Sequence, residues 1–208
     1  MATVTSEPEV QTPKIRVRGT HGTSLSRARL IEEHGFVAKP GRIGVGAYFW
    51  TAMVETDDCL DLARRLARTW ATKAEKGGQY ASDKEKSLAI VEVEVAFEEH
   101  DVLSLDDPEM TFRLWALIRE KLASLLGLKN DQDWEGASDK INKRQGEIHG
   151  FIEAFILELE ANLGRRFKVI FKSQACPKYS DPVLHYIGNH SCFAIRDTNV
   201  IGSMNITH

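Results

Sequence analysis

Two short stretches of this 208-residue chain carry residue types that could hold a small ligand. The first is Arg18-Gly19-Thr20-His21-Gly22-Thr23, in which the imidazole of His21 offers one hydrogen-bond donor and one acceptor. The second is Gly44-Val45-Gly46-Ala47-Tyr48-Phe49, whose glycines allow positive φ and a close approach of the backbone to a ligand. These two stretches are therefore the candidate functional residues of the chain.

Three other patterns are similar to known sites without fitting them. The run from Gly41 to Gly46 lacks both the lysine and hydroxyl ending of a P-loop and the G-x-G-x-x-G spacing of a dinucleotide fold. His149 stands outside an H-E-x-x-H pattern, which favours a packing or surface role. Glu92 and Glu94 alternate with valines, so we expect both to face water, with Glu94 kept as an alternative catalytic carboxylate.

The elements that must position the two stretches follow from hydrophobic periodicity. Alternation of apolar and polar residues predicts strands at 15–18 and 91–97, with later strands at 166–172, 191–197 and near 200–206. Helical spacing of apolar residues predicts four helices. The apolar stripe of the first contains Leu30 and Ile31, and that of the second runs from Leu60 to Trp70. The stripe of the third contains Phe112 and continues from Trp115 to Leu126, and that of the fourth runs from Ile148 to Leu163. Residues 39–50 are predicted to be a glycine-rich loop, and the polar segment 127–140 a flexible one that docks through Trp134. Strands at both ends with helices between them predict an α+β domain with a mixed sheet.

Bulk properties narrow the class of protein. A content of 42% hydrophobic and 27% charged residues is typical of a globular domain, which we place at 14–208 after a flexible tail at 1–13. The tail lacks signal-peptide features, and no stretch approaches the roughly 20 apolar residues of a membrane span. Three dispersed cysteines favour reduced thiols in a cytoplasm and no metal site. The net charge of −3 does not indicate a protein that binds nucleic-acid phosphates over its whole surface. A local basic groove is still compatible with this charge.

The two stretches and the segment between them resemble the diphtheria-toxin and poly(ADP-ribose) polymerase class of ADP-ribosyltransferases. In that class a strand ends in His-Gly-Ser or His-Gly-Thr, a helix and a Gly-Phe pair follow, and a G-x-G-x-Y-F run precedes an alanine-rich helix. Here the pieces are His21-Gly22-Thr23, the helix before Gly35-Phe36, and Gly44 to Phe49. The resemblance covers residues 15–72 well, 88–105 in part and the final third in outline. It implies a mixed, split β-sheet of ADP-ribosyltransferase type with flanking amphipathic helices.

The resemblance also implies that the chain binds NAD⁺ as a co-substrate. His21 would bind a ribose hydroxyl, the main chain of Gly22 would pair with the nicotinamide carboxamide, and the ring of Tyr48 would stack on the nicotinamide. Arg18 is the candidate for the pyrophosphate. The remaining expected NAD⁺ contacts are Thr20, Thr23, Gly46 and Phe49.

The family usually places a catalytic glutamate on a late strand, and this chain departs from that pattern. The matching stretch, Asn189 to Asp197, contains no glutamate. The third catalytic position therefore falls on His190, Ser191 or Cys192, with Asp197 as the carboxylate nearby.

Two functions follow as hypotheses. The first is a mono-ADP-ribosyltransferase that modifies a protein or nucleic acid, as a toxin or defence effector. The alternative is a catalytically silent NAD⁺ or ADP-ribose binding module. In either case the helices at 107–164 could dock a neutralising or chaperone protein partner.

Overall fold

A computed structural model describes residues 14–52, 56–177, 183 and 188–207. The predicted tail lies outside these residues. The described strands are β1 (Ile15–Ser24), β2 (Lys39–Gly41), β3 (Gly44–Ala52), β4 (Leu88–Phe97), β5 (Val102–Ser104), β6 (Val169–Ala175), β7 (Asn189–Ile195) and β8 (Ile201–Thr207). The described helices are α1 (Leu25–His34), α2 (Asp57–Lys76), α3 (Pro108–Leu126), α4 (Asp131–Glu135), α5 (Ser138–Asn142) and α6 (Gln145–Leu163). The α+β class predicted from the sequence is confirmed.

One mixed sheet organises the molecule, with the order β5-β6-β7-β3-β1-β4-β8 and β2 paired to β3. Every pair is antiparallel except β5 with β6. The β1–β3 register runs only from Arg18 opposite Ala52 to Thr20 opposite Trp50, whereas β1 stays paired to β4 as far as Ser24. Strands β1 and β3 therefore separate beyond Thr20, and the sheet splits at that point.

The sheet also curls strongly. Phe97 on β4 and Phe171 on β6 stand four strands apart in the sheet order, yet their ring centroids are 6.1 Å apart. A flat sheet would separate such positions by about 19 Å. The concave face holds an apolar cluster that includes Phe49 and Phe193, whose rings stack at 5.2 Å. Curling thus encloses one core on the concave side, where α1 also packs on β4, and α2, α3 and α6 cover the other face.

Helix α2 packs against the convex face of β1 through small residues. The buried alanines of α2 let its backbone approach the strand closely, and the Thr20 hydroxyl donates to the Ala63 carbonyl oxygen at 2.7 Å. A Cβ atom at Gly22 would overlap the carbonyl oxygen of Ala67. The tight helix–strand packing therefore requires glycine at position 22.

Several sequence expectations differ from the observed elements. Residues 39–50, predicted to be a loop, form β2 and most of β3, because the glycines fit the close strand pairing there. The segment 127–140 contains α4 and part of α5, and Trp134 docks under the Arg119 guanidinium at 4.4 Å, as expected. Five side chains of the predicted apolar stripes are exposed: Leu30, Trp70, Phe112, Trp115 and Leu163. Within the described residues, no helix has the length and hydrophobicity needed to cross a bilayer.

Candidate functional site

A cleft of about 490 Å³ opens where β1 and β3 separate, and we call it the β1–β3 cleft. Its other walls come from α1, the residues after α1, β2 and the C-terminal half of α2. Five of the side chains and glycines singled out in the sequence line it together: His21, Gly22, Thr23, Gly46 and Tyr48. The split in the sheet thus brings the two candidate stretches to a single site.

The imidazole of His21 bridges the split. Its Nδ1 lies 2.8 Å from the carbonyl oxygen of Tyr48, and because a carbonyl only accepts, Nδ1 carries the proton. Burial is the largest influence on the pKa of His21 and lowers it. The hydrogen bond to the Tyr48 carbonyl raises the pKa, and the positive charge of Lys39 lowers it further. The ring is therefore neutral near pH 7, and Nε2 is a hydrogen-bond acceptor without a partner in the part of the chain that the structure describes.

The ring of Tyr48 is held from its hydroxyl end. The hydroxyl donates to the Gly44 carbonyl oxygen and accepts from the Ile43 amide at 3.1 Å. A Cβ atom at Gly41 would overlap this hydroxyl, so glycine there makes room for the phenol. Burial, the largest influence, raises the pKa of Tyr48 to about 12. The phenol is therefore uncharged, and its ring forms a fixed wall of the cleft.

A brace that the sequence interpretation missed holds the turn behind Tyr48. Glu153 on α6 accepts hydrogen bonds from the Val45 amide at 2.6 Å and from Arg196 at 2.9 Å. Arg196 also donates to the Val45 carbonyl oxygen at 3.3 Å and pairs with Glu160 at 3.5 Å. In the sequence, the one feature that pointed to this brace was a carboxylate, Glu153, among the apolar residues of α6. Because the brace fixes Gly44 and Val45, it positions Tyr48 indirectly.

Two of the predicted NAD⁺ contacts have evident packing roles. Thr20 is fully buried and points at α2, and Phe49 lies in the concave core. Phe49 also approaches the His21 ring, with centroids 6.0 Å apart. Neither Thr20 nor Phe49 lines the cleft among the described residues.

Arg18 lies in a different cavity, of about 320 Å³, between β1, β4, β8 and the start of α2. We call it the Arg18 cavity. Within it, Arg64 makes a bidentate pair with Glu92, at 2.7 and 2.9 Å. The Glu92 side chain is only 13% exposed, so the expectation that it faces water is wrong, because α2 covers that face of β4. Glu94 is exposed, as expected.

The four late-strand candidates lie away from the cleft lining. The Nε2 atom of His190 bonds to the Thr51 carbonyl oxygen at 2.9 Å, and Ser191 pairs with a residue of β6. Cys192 is buried in the convex-face core, and burial raises the pKa of its thiol. Asp197 caps the short 3₁₀ turn after β7 by accepting from the Asn199 amide at 3.0 Å.

The residue of β7 opposite Tyr48 is Ala194. The late strand therefore brings no carboxylate to the position beside the Tyr48 ring.

Among the described residues, the charged side chains that line the β1–β3 cleft are basic and none is acidic. Arg27 and Lys39 line it, and no Asp or Glu does so among the described residues. Arg27 is already engaged with Asp83 at 2.9 Å and lies over the Tyr80 ring at 4.8 Å. Lys39 forms no ion pair within the described part of the chain, so its charge is available to an anionic ligand.

Across the described ranges, no group of three or more His, Cys, Asp or Glu side chains is placed to bind a metal ion. Comparison of this chain with protein-family models, with curated proteins and with solved structures finds no match in any of the three.

Proposed function

We propose that this protein is an NAD⁺-dependent mono-ADP-ribosyltransferase that binds NAD⁺ in the β1–β3 cleft. The observation that carries the proposal is the meeting of His21 and Tyr48 across the split between β1 and β3, where the imidazole bonds the Tyr48 carbonyl and both side chains line the cleft. A neutral imidazole can accept a hydrogen bond from a ribose hydroxyl, and a fixed aromatic ring can stack on nicotinamide, as the resemblance to the ADP-ribosyltransferases implies.

The chemistry of the lining matches the parts of NAD⁺. A ribose hydroxyl donates to His21 Nε2, and the nicotinamide ring stacks on Tyr48. The pyrophosphate lies beside Lys39, whose charge has no carboxylate partner among the described residues and can attract the phosphates. Arg27 is the second cation, although its pairing with Asp83 reduces the charge that it offers.

The reaction transfers ADP-ribose to a nucleophile of an acceptor. The bond between the nicotinamide nitrogen and C1 of its ribose breaks, and the electron pair leaves with nicotinamide, which becomes neutral. The nucleophile forms the new bond to C1 and its proton passes to water. Positioning of the two reactants in one cleft supplies much of the rate, because it removes the entropy of bringing them together.

A second function is a binding module that holds NAD⁺ or ADP-ribose without turnover. The observation in its favour is the lining itself, which contains no carboxylate among the described residues. The positive charge that develops on the ribose in the transition state would then lack an anionic partner in the protein. Binding would be retained while nicotinamide release stayed at the uncatalysed rate.

One experiment with three readouts separates these functions. Calorimetry measures NAD⁺ binding, chromatography measures nicotinamide release, and radiolabelled NAD⁺ added to cell lysate measures transfer to macromolecules. For the transferase, Tyr48→Ala removes all three signals and Trp115→Ala, an exposed aromatic on α3, changes none. Saturable binding without release supports the binding module. Absence of NAD⁺ binding by the folded wild-type protein contradicts both functions.

A further inference from the structure

The outer rim of the β1–β3 cleft carries an exposed tryptophan. Trp70 on α2 lines the cleft, yet half of its surface (50%) is open to solvent. The Lys73 ammonium lies 5.4 Å from the centroid of the Trp70 ring, a cation–π contact. Trp70 therefore presents a flat, partly exposed aromatic face at the mouth of the cleft.

A cation without an ion-pair partner among the described residues, Lys73, lies beside this ring. Lys39, which also forms no ion pair within the described part of the chain, lines the same cleft. Because the whole chain has a net charge of −3, this basic rim is a local feature and does not reflect the average surface. A flat exposed ring with a free cation beside it matches the way proteins hold single-stranded nucleic acids, in which bases stack and phosphates are neutralised.

We propose that the acceptor of ADP-ribose is a single-stranded nucleic acid that is held at this rim. One base stacks on Trp70 and a phosphate contacts Lys73, while Lys39 stays with the pyrophosphate of NAD⁺. A nucleophilic nitrogen or oxygen of the strand then attacks C1 of the nicotinamide ribose. Nicotinamide leaves with the electron pair, and the proton of the nucleophile passes to water. This inference rests on the proposed function, because the strand is the second substrate of the same cleft.

Binding of the strand is tested without NAD⁺, by fluorescence anisotropy of labelled 12-residue single-stranded RNA and DNA of mixed sequence. We expect salt-dependent binding that Trp70→Ala weakens about tenfold and Trp70→Phe largely restores, since stacking needs a flat ring. Lys73→Gln should reduce the slope of log K against log salt by about 0.7. Both side chains lie on the surface, so the variants should fold.

Matched controls on α3 test whether the effect is local. Trp115 is 54% exposed, much like Trp70, and has a cation beside it, since Arg119 lies over its ring at 5.6 Å. Trp115→Ala and Lys121→Gln should leave binding of the strand unchanged. An equal loss in Trp115→Ala, or no measurable binding by the wild-type protein, would overturn the inference.

Two further measurements distinguish this inference from the proposed function. If Trp70→Ala weakens NAD⁺ binding as much as strand binding, Trp70 serves the adenine of NAD⁺ and the inference fails. Radiolabel from NAD⁺ in lysate should be removed by nuclease and reduced by Trp70→Ala. Label that only a protease removes would identify a protein acceptor, which overturns this inference and leaves the transferase standing. Failure of NAD⁺ to bind, with strand binding intact, would overturn the proposed function and the transfer to the strand with it, and would leave only a surface that binds the strand.

Discussion

The two cavities beside β1 differ in how their charges are used. In the Arg18 cavity, Arg64 is shared between Glu92 at 2.7 Å and Asp61 at 2.8 Å, and Thr207 donates to Glu92 at 3.0 Å. In the β1–β3 cleft, Lys39 has no ion-pair partner and His21 has no partner at Nε2 within the described residues. Both cavities border the same strand.

This difference distinguishes a structural network from a binding site. Charges that neutralise each other gain little from a ligand, because a ligand must first displace the partner. Unpaired donors and acceptors in a concave site are open to a ligand, which has to displace only water to reach them. The comparison is the reason for proposing the β1–β3 cleft as the ligand site and for assigning a structural role to the Arg64–Glu92 pair.

The largest effect is expected where the cleft meets α2. Gly22→Ala inserts a Cβ atom against the Ala67 carbonyl oxygen, a backbone atom that cannot move without shifting α2. We expect a loss of about 3 kcal/mol in the free energy of unfolding. Urea denaturation measures it. Gly136→Ala is the control, since a Cβ atom there has no neighbour within 4 Å, and it should be nearly neutral. Equal effects of the two would refute the packing role of Gly22.

The next effect concerns ligand binding. His21→Ala removes the acceptor at Nε2 and the bond to the Tyr48 carbonyl, so NAD⁺ affinity should fall about 100-fold, as expected for the loss of two hydrogen bonds. Arg18→Ala should change affinity less than twofold, because Arg18 lies in the other cavity. Calorimetry at constant salt compares them. A larger effect at Arg18 would reverse the assignment of the two cavities.

A smaller effect on stability is expected in the Arg18 cavity. Arg64→Met leaves the mostly buried Glu92 carboxylate without its bidentate partner and should lower the free energy of unfolding by about 2 kcal/mol. NAD⁺ affinity should stay the same. Arg16→Met breaks the exposed pair with Glu94, whose atoms are 3.8 Å apart, and should leave stability unchanged. Weaker NAD⁺ binding in Arg64→Met would show that the cavities are coupled.

The smallest effect is a dependence on pH. The pKa of His21 in the folded protein is lowered below 6.5, so between the two values the unfolded state binds the proton more readily. Stability from this group is therefore present above pH 6.5 and is lost as pH falls below it. NAD⁺ affinity should be level from pH 8 to about 6.5 and decline only at lower pH. Titration of His21→Gln by calorimetry should lack that decline, and an unchanged decline would assign it to another group.

Prediction from the sequence was most successful where structure depends on neighbouring residues. Alternation located β1 and β4, and helical spacing located α1, α2, α3 and α6, because side-chain periods of two and 3.6 are local properties. The same reasoning placed Trp70 and Phe112 on buried stripes, and both are exposed. A period identifies one face of a helix and does not state how much of that face another element covers.

The candidate site was predicted in part. His21, Gly22, Thr23, Gly46 and Tyr48 line one cleft, as the two stretches suggested. The brace on Tyr48 was not predictable, since Val45 and Glu153 are 108 residues apart along the chain and no local pattern joins them. The proposed role of Lys39 was not predicted from the sequence either. It depends on the absence of carboxylates from the described lining of the cleft, which residues distant in the chain determine.

By itself the sequence determined the alternating strands, the amphipathic helices and the two stretches that carry His21 and Tyr48, since each depends on residues near in the chain. Tertiary structure decided which edge of β1 stays unpaired beyond Thr20, and so where the cleft opens. It also decided that Arg18 and His21, three residues apart on β1, line different cavities. Side chains of a strand alternate between two faces, and only the packing of α1 and α2 gives each face its own surroundings.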